Sequence, residues 1–197
     1  MSLEWIIPLV VVVIVVGVPL AMYNGLVRTR NFCRESWSDV DTELKRRHDL
    51  IPNLVESVKG YAQHEREVFE QVTRLRQQLL TASTSRRDLA DRENALVAAL
   101  SRVFAVAENY PQLKADQNFR QLMHELVVTE DRIQAARRFY NANVRDYNTR
   151  CQTIPSSLIA TAAGFKEEEF FEIEDARERL APVFSFNGYN LQPNRPT

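Results

Sequence analysis

From Ile6 to Met22 the chain reads IIPLVVVVIVVGVPLAM, 17 residues without a charge. Leu3 and Trp5 extend the apolar run toward the N-terminus. A spanning helix needs ~20 apolar residues to cross a hydrocarbon core of ~30 Å, so the run stands at the short end of that requirement. Inside a bilayer every backbone N–H and C=O must be satisfied within the protein, and a lone segment achieves this only as a helix. Trp5 and Tyr23 fall at its two ends, where aromatic rings favour the headgroup layer. Pro8 lies near the start and costs little there, whereas Pro19 lies inside and predicts a mild kink at the exit turn. A cleaved signal peptide would carry a basic segment before the apolar run and a small-x-small site after it; neither is present. The run is therefore expected to be a retained anchor.

Topology follows from the flanking charges. Ahead of the run stand only the α-amino group and Glu4; behind it come Arg28, Arg30 and Arg34. The basic flank stays in the cytoplasm, which places the N-terminus outside and the rest of the chain inside. Arg28, Arg30 and Arg34 are accordingly the expected contacts to membrane lipid.

Beyond the anchor, apolar residues recur at alternating steps of three and four. The first segment gives Cys33, Trp37, Val40, Leu44, Ile51, Val55, Val58, Ala62, Phe69, Val72 and Leu79, with polar Arg47 and Glu65 in phase. A second runs Leu89, Leu96, Leu100, Val103, Ala107, Tyr110, and a third Phe119, Leu122, Leu126, Thr129, Ile133, Ala136, Tyr140, Asn143, Tyr147. A period near 3.5 is the seam of an antiparallel bundle or coiled coil. No stretch alternates with period two for long, so strands are not expected. The breaks have local causes. Thr81 to Arg87, TASTSRR, suits a turn and an N-cap, and Asp116 or Asn118 suits another. Pro111 and Pro155 are expected to end the second and third helices. The first segment is too long to match the others, and a break near Pro52 or Gly60 would resolve this. The expected fold is all-α: an N-terminal transmembrane helix followed by an elongated antiparallel bundle of three to four helices.

Chemistry-bearing patterns are sparse. Hydrophobic residues make up 45% and charged residues 26%, the balance of a folding chain, and a net charge of −1 exerts no pull toward nucleic acid. Cys33 and Cys151 are far apart and make no disulfide framework; free thiols are expected. His64-Glu65 and His124-Glu125 begin like a zinc helix but lack a second histidine four residues on, and His48 has no such pattern. There is no Gly-x-Ser-x-Gly and no glycine-rich phosphate loop. No catalytic residue, cofactor or metal is expected.

The remaining candidates are interaction residues. Lys45, Arg46 and Arg47 form a basic run. Glu130 and Arg132 flank seam residue Thr129 as e and g charges flank a coiled-coil core, which sets register within the bundle or contact with another subunit. Tyr110, Tyr140, Tyr147 and Trp37, with Asn143, are unusual seam residues; their polar tips reach solvent or a helix end, or they form an intersubunit face. The segment Phe165 to Phe186 is dense in phenylalanine and either folds back as a clasp or docks on a neighbour.

Three blocks stand out first: Tyr23-Asn24-Gly25-Leu26-Val27-Arg28-Thr29-Arg30-Asn31, Trp37-Ser38-Asp39-Val40-Asp41 and Leu44-Lys45-Arg46-Arg47-His48-Asp49-Leu50-Ile51-Pro52-Asn53-Leu54-Val55. Three more follow in order: Ala105-Val106-Ala107-Glu108-Asn109-Tyr110-Pro111, Thr129-Glu130-Asp131-Arg132-Ile133 and Ala135-Ala136-Arg137-Arg138-Phe139-Tyr140-Asn141. Together these blocks resemble the LemA family, from whose usual pattern Cys33, Ser36, His48 and Cys151 depart. The resemblance implies a single-span protein of the bacterial inner membrane with a cytoplasmic helical bundle, and implies no enzyme activity. The expected organisation is an anchor with a short outer N-terminus over 1–25, a cytoplasmic bundle over 26–186 and a disordered tail over 187–197. The leading functional expectation is a membrane-anchored scaffold that self-associates as a homo-oligomer. The alternative is a membrane-tethered adaptor, in signalling or envelope stress, that recruits cytosolic protein partners.

Overall fold

The computed structural model describes residues 3–62, 64–81 and 85–173. Among them are six helices and no strand: α1 (Leu3–Lys59), α2 (Arg66–Thr81), α3 (Arg86–Glu108), α4 (Pro111–Ala115), α5 (Gln117–Gln152) and α6 (Ser156–Ala162). The expected all-helical architecture is observed, with four long helices and two short ones. The side chains of Trp5 and Pro8 lie outside the described residues, as do Ala82, Ser83 and Thr84 of the expected turn, Pro182, Phe184, Phe186 and the 187–197 tail.

α1 continues through Pro19 and Pro52 and stops at Lys59, so the break falls at Gly60. Glycine costs about 1 kcal/mol in a helix interior relative to alanine, and there Tyr61 N–H already turns back to the Val58 carbonyl at 3.1 Å. Pro52 lacks the N–H that would serve the His48 carbonyl four residues earlier. Arg76 Nε on α2 donates to that oxygen instead, at 2.6 Å, which lets the helix pass the proline.

The other boundaries follow from capping. Ser85 Oγ accepts from Asp88 N–H at 3.2 Å and starts α3, while Asp116 Oδ1 accepts from Phe119 N–H at 2.9 Å and starts α5. α3 ends at Glu108 ahead of Pro111, which opens α4 as a first-turn residue, and α5 ends at Gln152 ahead of Pro155. α6 closes on Gly164, whose φ of 73° suits glycine. Phe165 N–H reaches the Ala160 carbonyl at 2.9 Å and Gly164 N–H reaches Thr161 at 3.2 Å, the double bond of a Schellman ending.

The chain forms two compact units. The first is built from residues 3–46, 85–90 and 131–172. Its core takes Leu26, Cys33, Val40 and Leu44 from α1 and Ile133, Tyr140, Val144 and Tyr147 from α5, with Phe171 beyond them. Within it α1 and α5 run antiparallel: Glu43 lies by Arg132, Trp37 by Tyr140, and Gly25 by Arg150. The second unit is built from residues 47–62, 64–81, 91–130 and 173. It buries Ile51, Leu54 and Val58 of α1, Phe69 and Val72 of α2, Leu96, Val103 and Phe104 of α3, and Phe119 of α5. Full burial of one such side chain contributes about 1.5–3 kcal/mol, so the seam is the main source of stability in each unit. Every apolar seam position read in the first segment is buried except Trp37, which is half-buried. Glu65 is exposed because the helix has ended before it.

Candidate functional site

The N-terminal part of α1 is apolar and bare. Leu9 is 60% exposed, Val13 62% and Val15 64%. The core helix of a water-soluble protein buries such residues, whereas α1 begins to bury its seam fully only at Leu26. The helix is long and apolar enough to cross a membrane.

In the first unit, residues 165–172 form an extended strap along α5. Asn148 Nδ2 donates to the Glu168 carbonyl and Asn148 Oδ1 accepts from Glu168 N–H, both at 2.9 Å. Asn141 makes the same pair of bonds with Phe171, both at 3.0 Å. Tyr147 Oη donates to the Lys166 carbonyl at 2.8 Å and Tyr140 Oη to that of Glu169 at 2.7 Å. The spacing is a match of rises. Seven helical residues advance about 10.5 Å, and three extended residues advance about 10 Å, so Tyr-Asn repeated at 140 and 147 grips a strap at every third residue. Of the two readings for the phenylalanine-rich segment, residues 165–172 take the clasp.

Trp37 and Tyr140 lie under this strap. Trp37 meets Tyr140 edge-on at 5.2 Å and Phe171 at 5.1 Å. Arg86 lies over both rings, 4.9 Å from Trp37 and 5.3 Å from Tyr140, and pairs with Glu168 at 2.7 Å. Burial pushes the Tyr140 and Tyr147 phenols above their ordinary range, so both remain donors to the strap. Arg30 faces the same carboxylate at 3.8 Å, while Arg28, above the Phe32 ring, and Arg34 are exposed. Arg132 reaches Glu43 at 3.8 Å. Lys45 pairs with Asp41 one turn back, and Lys45 and Arg46 are exposed.

Arg47 and Glu130 belong to the second unit and are buried there. Arg47 donates to Glu130 at 2.8 Å and to Glu93 at 2.5 Å, and His48 Nε2 lies 2.9 Å from the other Glu93 oxygen. Glu130 is therefore a buried partner of Arg47 rather than a solvated flanking charge, and Arg47 separates from its exposed neighbours Lys45 and Arg46. Burial drives the Glu93 carboxyl upward, but the hydrogen bond from His48 and the charge of Arg47 outweigh it and hold the group below its ordinary value. An ionised Glu93 only accepts, so the His48 proton sits on Nε2. Glu93 and the asparagine clamps belong to no chemistry-bearing motif of the sequence. Their signals were present: Glu93 fills the gap between Leu89 and Leu96, in phase with the seam, and the Tyr-Asn pair recurs after seven residues.

The two thiols are free, Cys33 buried and Cys151 half-buried. Burial pushes Cys33 up to about 11 and raises Cys151 as well, the reverse of what a thiolate nucleophile requires. His64 and His124 are exposed. Among the described residues no group of three or more His, Cys, Asp or Glu side chains could hold a metal ion.

These features define a class: an all-helical bundle protein with an N-terminal helix able to cross a bilayer and an internal, charge-stitched core. The chain belongs to the LemA family, whose sequence model matches residues 36–186. Magnetosome protein MamQ 2 of Paramagnetospirillum magneticum is 26% identical over 190 residues, 84% of this chain and 70% of the relative. MamQ of Magnetospirillum gryphiswaldense is 25% identical over 182 residues, 80% and 67% of the two chains. Protein LemA of Metamycoplasma hominis is 29% identical over 140 residues, 70% of this chain and 63% of that one.

Proposed function

We propose that this chain is a non-enzymatic, membrane-anchored structural protein that self-associates at the bacterial inner membrane, with its N-terminus outside and its bundle in the cytoplasm. The observation that carries the reading is the continuity of α1, whose bare apolar start and buried seam are parts of one helix. A flexible tether would let the domain move freely from the membrane; a continuous helix transmits orientation from the anchor to the folded domain, which favours lateral assembly. The exposed surface offers contacts for that assembly. Phe139 is 60% exposed beside Arg138, and Lys45, Arg46 and Arg132 are also exposed; aromatic and arginine side chains are favoured at interface hot spots. The raised thiol pKa values support a role without nucleophilic chemistry.

Crosslinking in native membranes and the native mass of the detergent-solubilised protein test self-association, which a strictly monomeric species at physiological density would overturn. Carbonate extraction tests the anchor, and a reporter fused after Thr197 tests the orientation. The adaptor reading rests on exposed Lys45 and Arg46. It requires a stable cytosolic partner in pull-downs that is lost on Lys45→Glu/Arg46→Glu, and recovery of only the protein itself would exclude it.

A further inference from the structure

Two large apolar side chains at one end of the first unit are mostly exposed: Ile154, between α5 and α6, at 83%, and Leu158 on α6 at 67%. Their position along α1 follows from the antiparallel register. Residue 43 faces 132, 37 faces 140 and 25 faces 150; continued by one turn, this register sets Met22 and Tyr23 level with residues 153 and 154. Two contacts fix that end. The Arg150 guanidinium passes 3.6 Å from where a β-carbon on Gly25 would stand. The Phe165 ring, just after α6, meets Tyr23 edge-on at 5.6 Å. The α1 seam also continues, half-buried, through Met22 to Pro19, while the residues between them are exposed. The folded domain therefore reaches the last turns of the apolar run.

We propose that the α5–α6 turn is a second membrane contact, with Ile154 and Leu158 seated in the interfacial layer of the same bilayer that α1 crosses. The inference rests on the anchor reading of α1, which sets Tyr23 at the headgroup level and thereby brings Ile154 and Leu158 to the lipid. The surroundings suit an interface. Arg150 and Lys166 are exposed there to meet anionic headgroups, Arg150 being paired with Asp146, and Glu167 shares the surface, bonded by Gln152. Apolar side chains on a short amphipathic element enter the headgroup–acyl boundary, while charged neighbours remain at the surface. Contact at both α1 and the turn would restrict rotation and tilt of the first unit relative to the membrane, which an isolated spanning helix leaves free.

The test uses the full chain in vesicles of phosphatidylethanolamine and phosphatidylglycerol, in a Cys33→Ala/Cys151→Ser background. Single cysteines at Ile154→Cys, Leu158→Cys, Arg138→Cys and Val13→Cys carry an environment-sensitive fluorophore; lipids with a doxyl group near the headgroup end of the acyl chain act as quencher for 154, 158 and 138, and lipids with the doxyl group near the methyl end for Val13, which lies about 15 Å along α1 from Tyr23. Circular dichroism confirms that each variant is folded. The expected result is severalfold stronger quenching at 154 and 158 than at exposed Arg138, about three turns back along α5 from Arg150. Strong quenching at Val13 with 154 and 158 no higher than 138 overturns the second contact and leaves the anchor standing; it is also the outcome if a second copy of the chain covers the patch. Absence of quenching at Val13 overturns the anchor reading itself, and the second contact with it.

Discussion

Arg76 Nε donates to the main-chain oxygen of His48 at 2.6 Å, and His48 is the residue whose carbonyl Pro52 leaves without a helical donor. A charged donor from α2 thus completes the hydrogen bonding of α1. The next residue back, Arg47, is held by Glu93 and Glu130, and the His48 ring by Glu93. One turn of α1 is therefore tied to α2, α3 and α5 through charged groups.

The coupling between Arg76 and Pro52 is measurable. Arg76→Ala should lower stability by about 1.5–3 kcal/mol, the range for a hydrogen bond involving a charged group. In a Pro52→Ala background the helix supplies its own donor, so the same substitution should cost clearly less. A double-mutant cycle on the detergent-solubilised protein, read by thermal or urea unfolding, checks this; equal costs in the two backgrounds would show that Arg76 acts elsewhere.

Removing Arg47 should be far more damaging. Arg47→Met leaves Glu93 and Glu130 buried without their shared cation, and breaking a buried pair on one side costs ~3–5 kcal/mol. Loss of cooperative unfolding or a large drop in melting temperature is expected. Arg46→Met, at an exposed position next to it, should be nearly silent, which separates burial from charge.

The same cluster sets an acid dependence. The folded-state pKa of Glu93 lies below its ordinary value of 4.5, so its contribution is fully present above that value. It is lost as pH falls through the lower folded value, where the native carboxylate is protonated. Melting temperature against pH should therefore decline below about 4.5 in the wild type, and the decline should be shallower in Glu93→Gln. Identical acid limbs would show that other carboxylates carry the effect.

The helical seam was readable because burial on one helix face imposes a period, and the observed core keeps it from Cys33 to Tyr147. The ionic cluster was half-readable. α1 shows a seven-residue gap between Leu44 and Ile51 filled by Arg47, and α3 one between Leu89 and Leu96 filled by Glu93. Opposite charges in matching gaps are a pairing signal, but only once the two helices are known to be neighbours. The strap has no such signature. An extended segment held through its main chain leaves its own side chains free to vary, so recognition is written in the asparagines and tyrosines of α5 rather than in residues 165–172. The break at Gly60 instead of Pro52 was hidden for a similar reason: the donor that rescues Pro52 lies 24 residues later.

Thiol reactivity should follow burial. Cys151, half-buried, should alkylate before Cys33 in the folded protein. With its pKa pushed up to about 11, Cys33 should still gain in rate with pH well past the ordinary thiol value of about 8.5. Rates measured by mass spectrometry across that range, in folded and denatured protein, check both statements; a Cys33 rate that levels off near the ordinary value would contradict its assigned environment.

The clamps on the strap make the most specific prediction. Asn148→Ala removes the acceptor for Glu168 N–H and the donor for its carbonyl, and Asn141→Ala does the same at Phe171. A protein hydrogen bond contributes about 0.5–1.5 kcal/mol, so each substitution should cost on the order of 1–3 kcal/mol of strap attachment. Local opening should precede global unfolding, since Phe171 remains buried against Trp37 when one clamp is lost. Hydrogen exchange then reads the two sites separately: Asn148→Ala should deprotect the Glu168 amide more than that of Phe171, and Asn141→Ala should reverse the order. Loss of protection at both amides from either variant would mean that the strap detaches as one unit, with the aromatic cluster rather than the asparagines holding it in place.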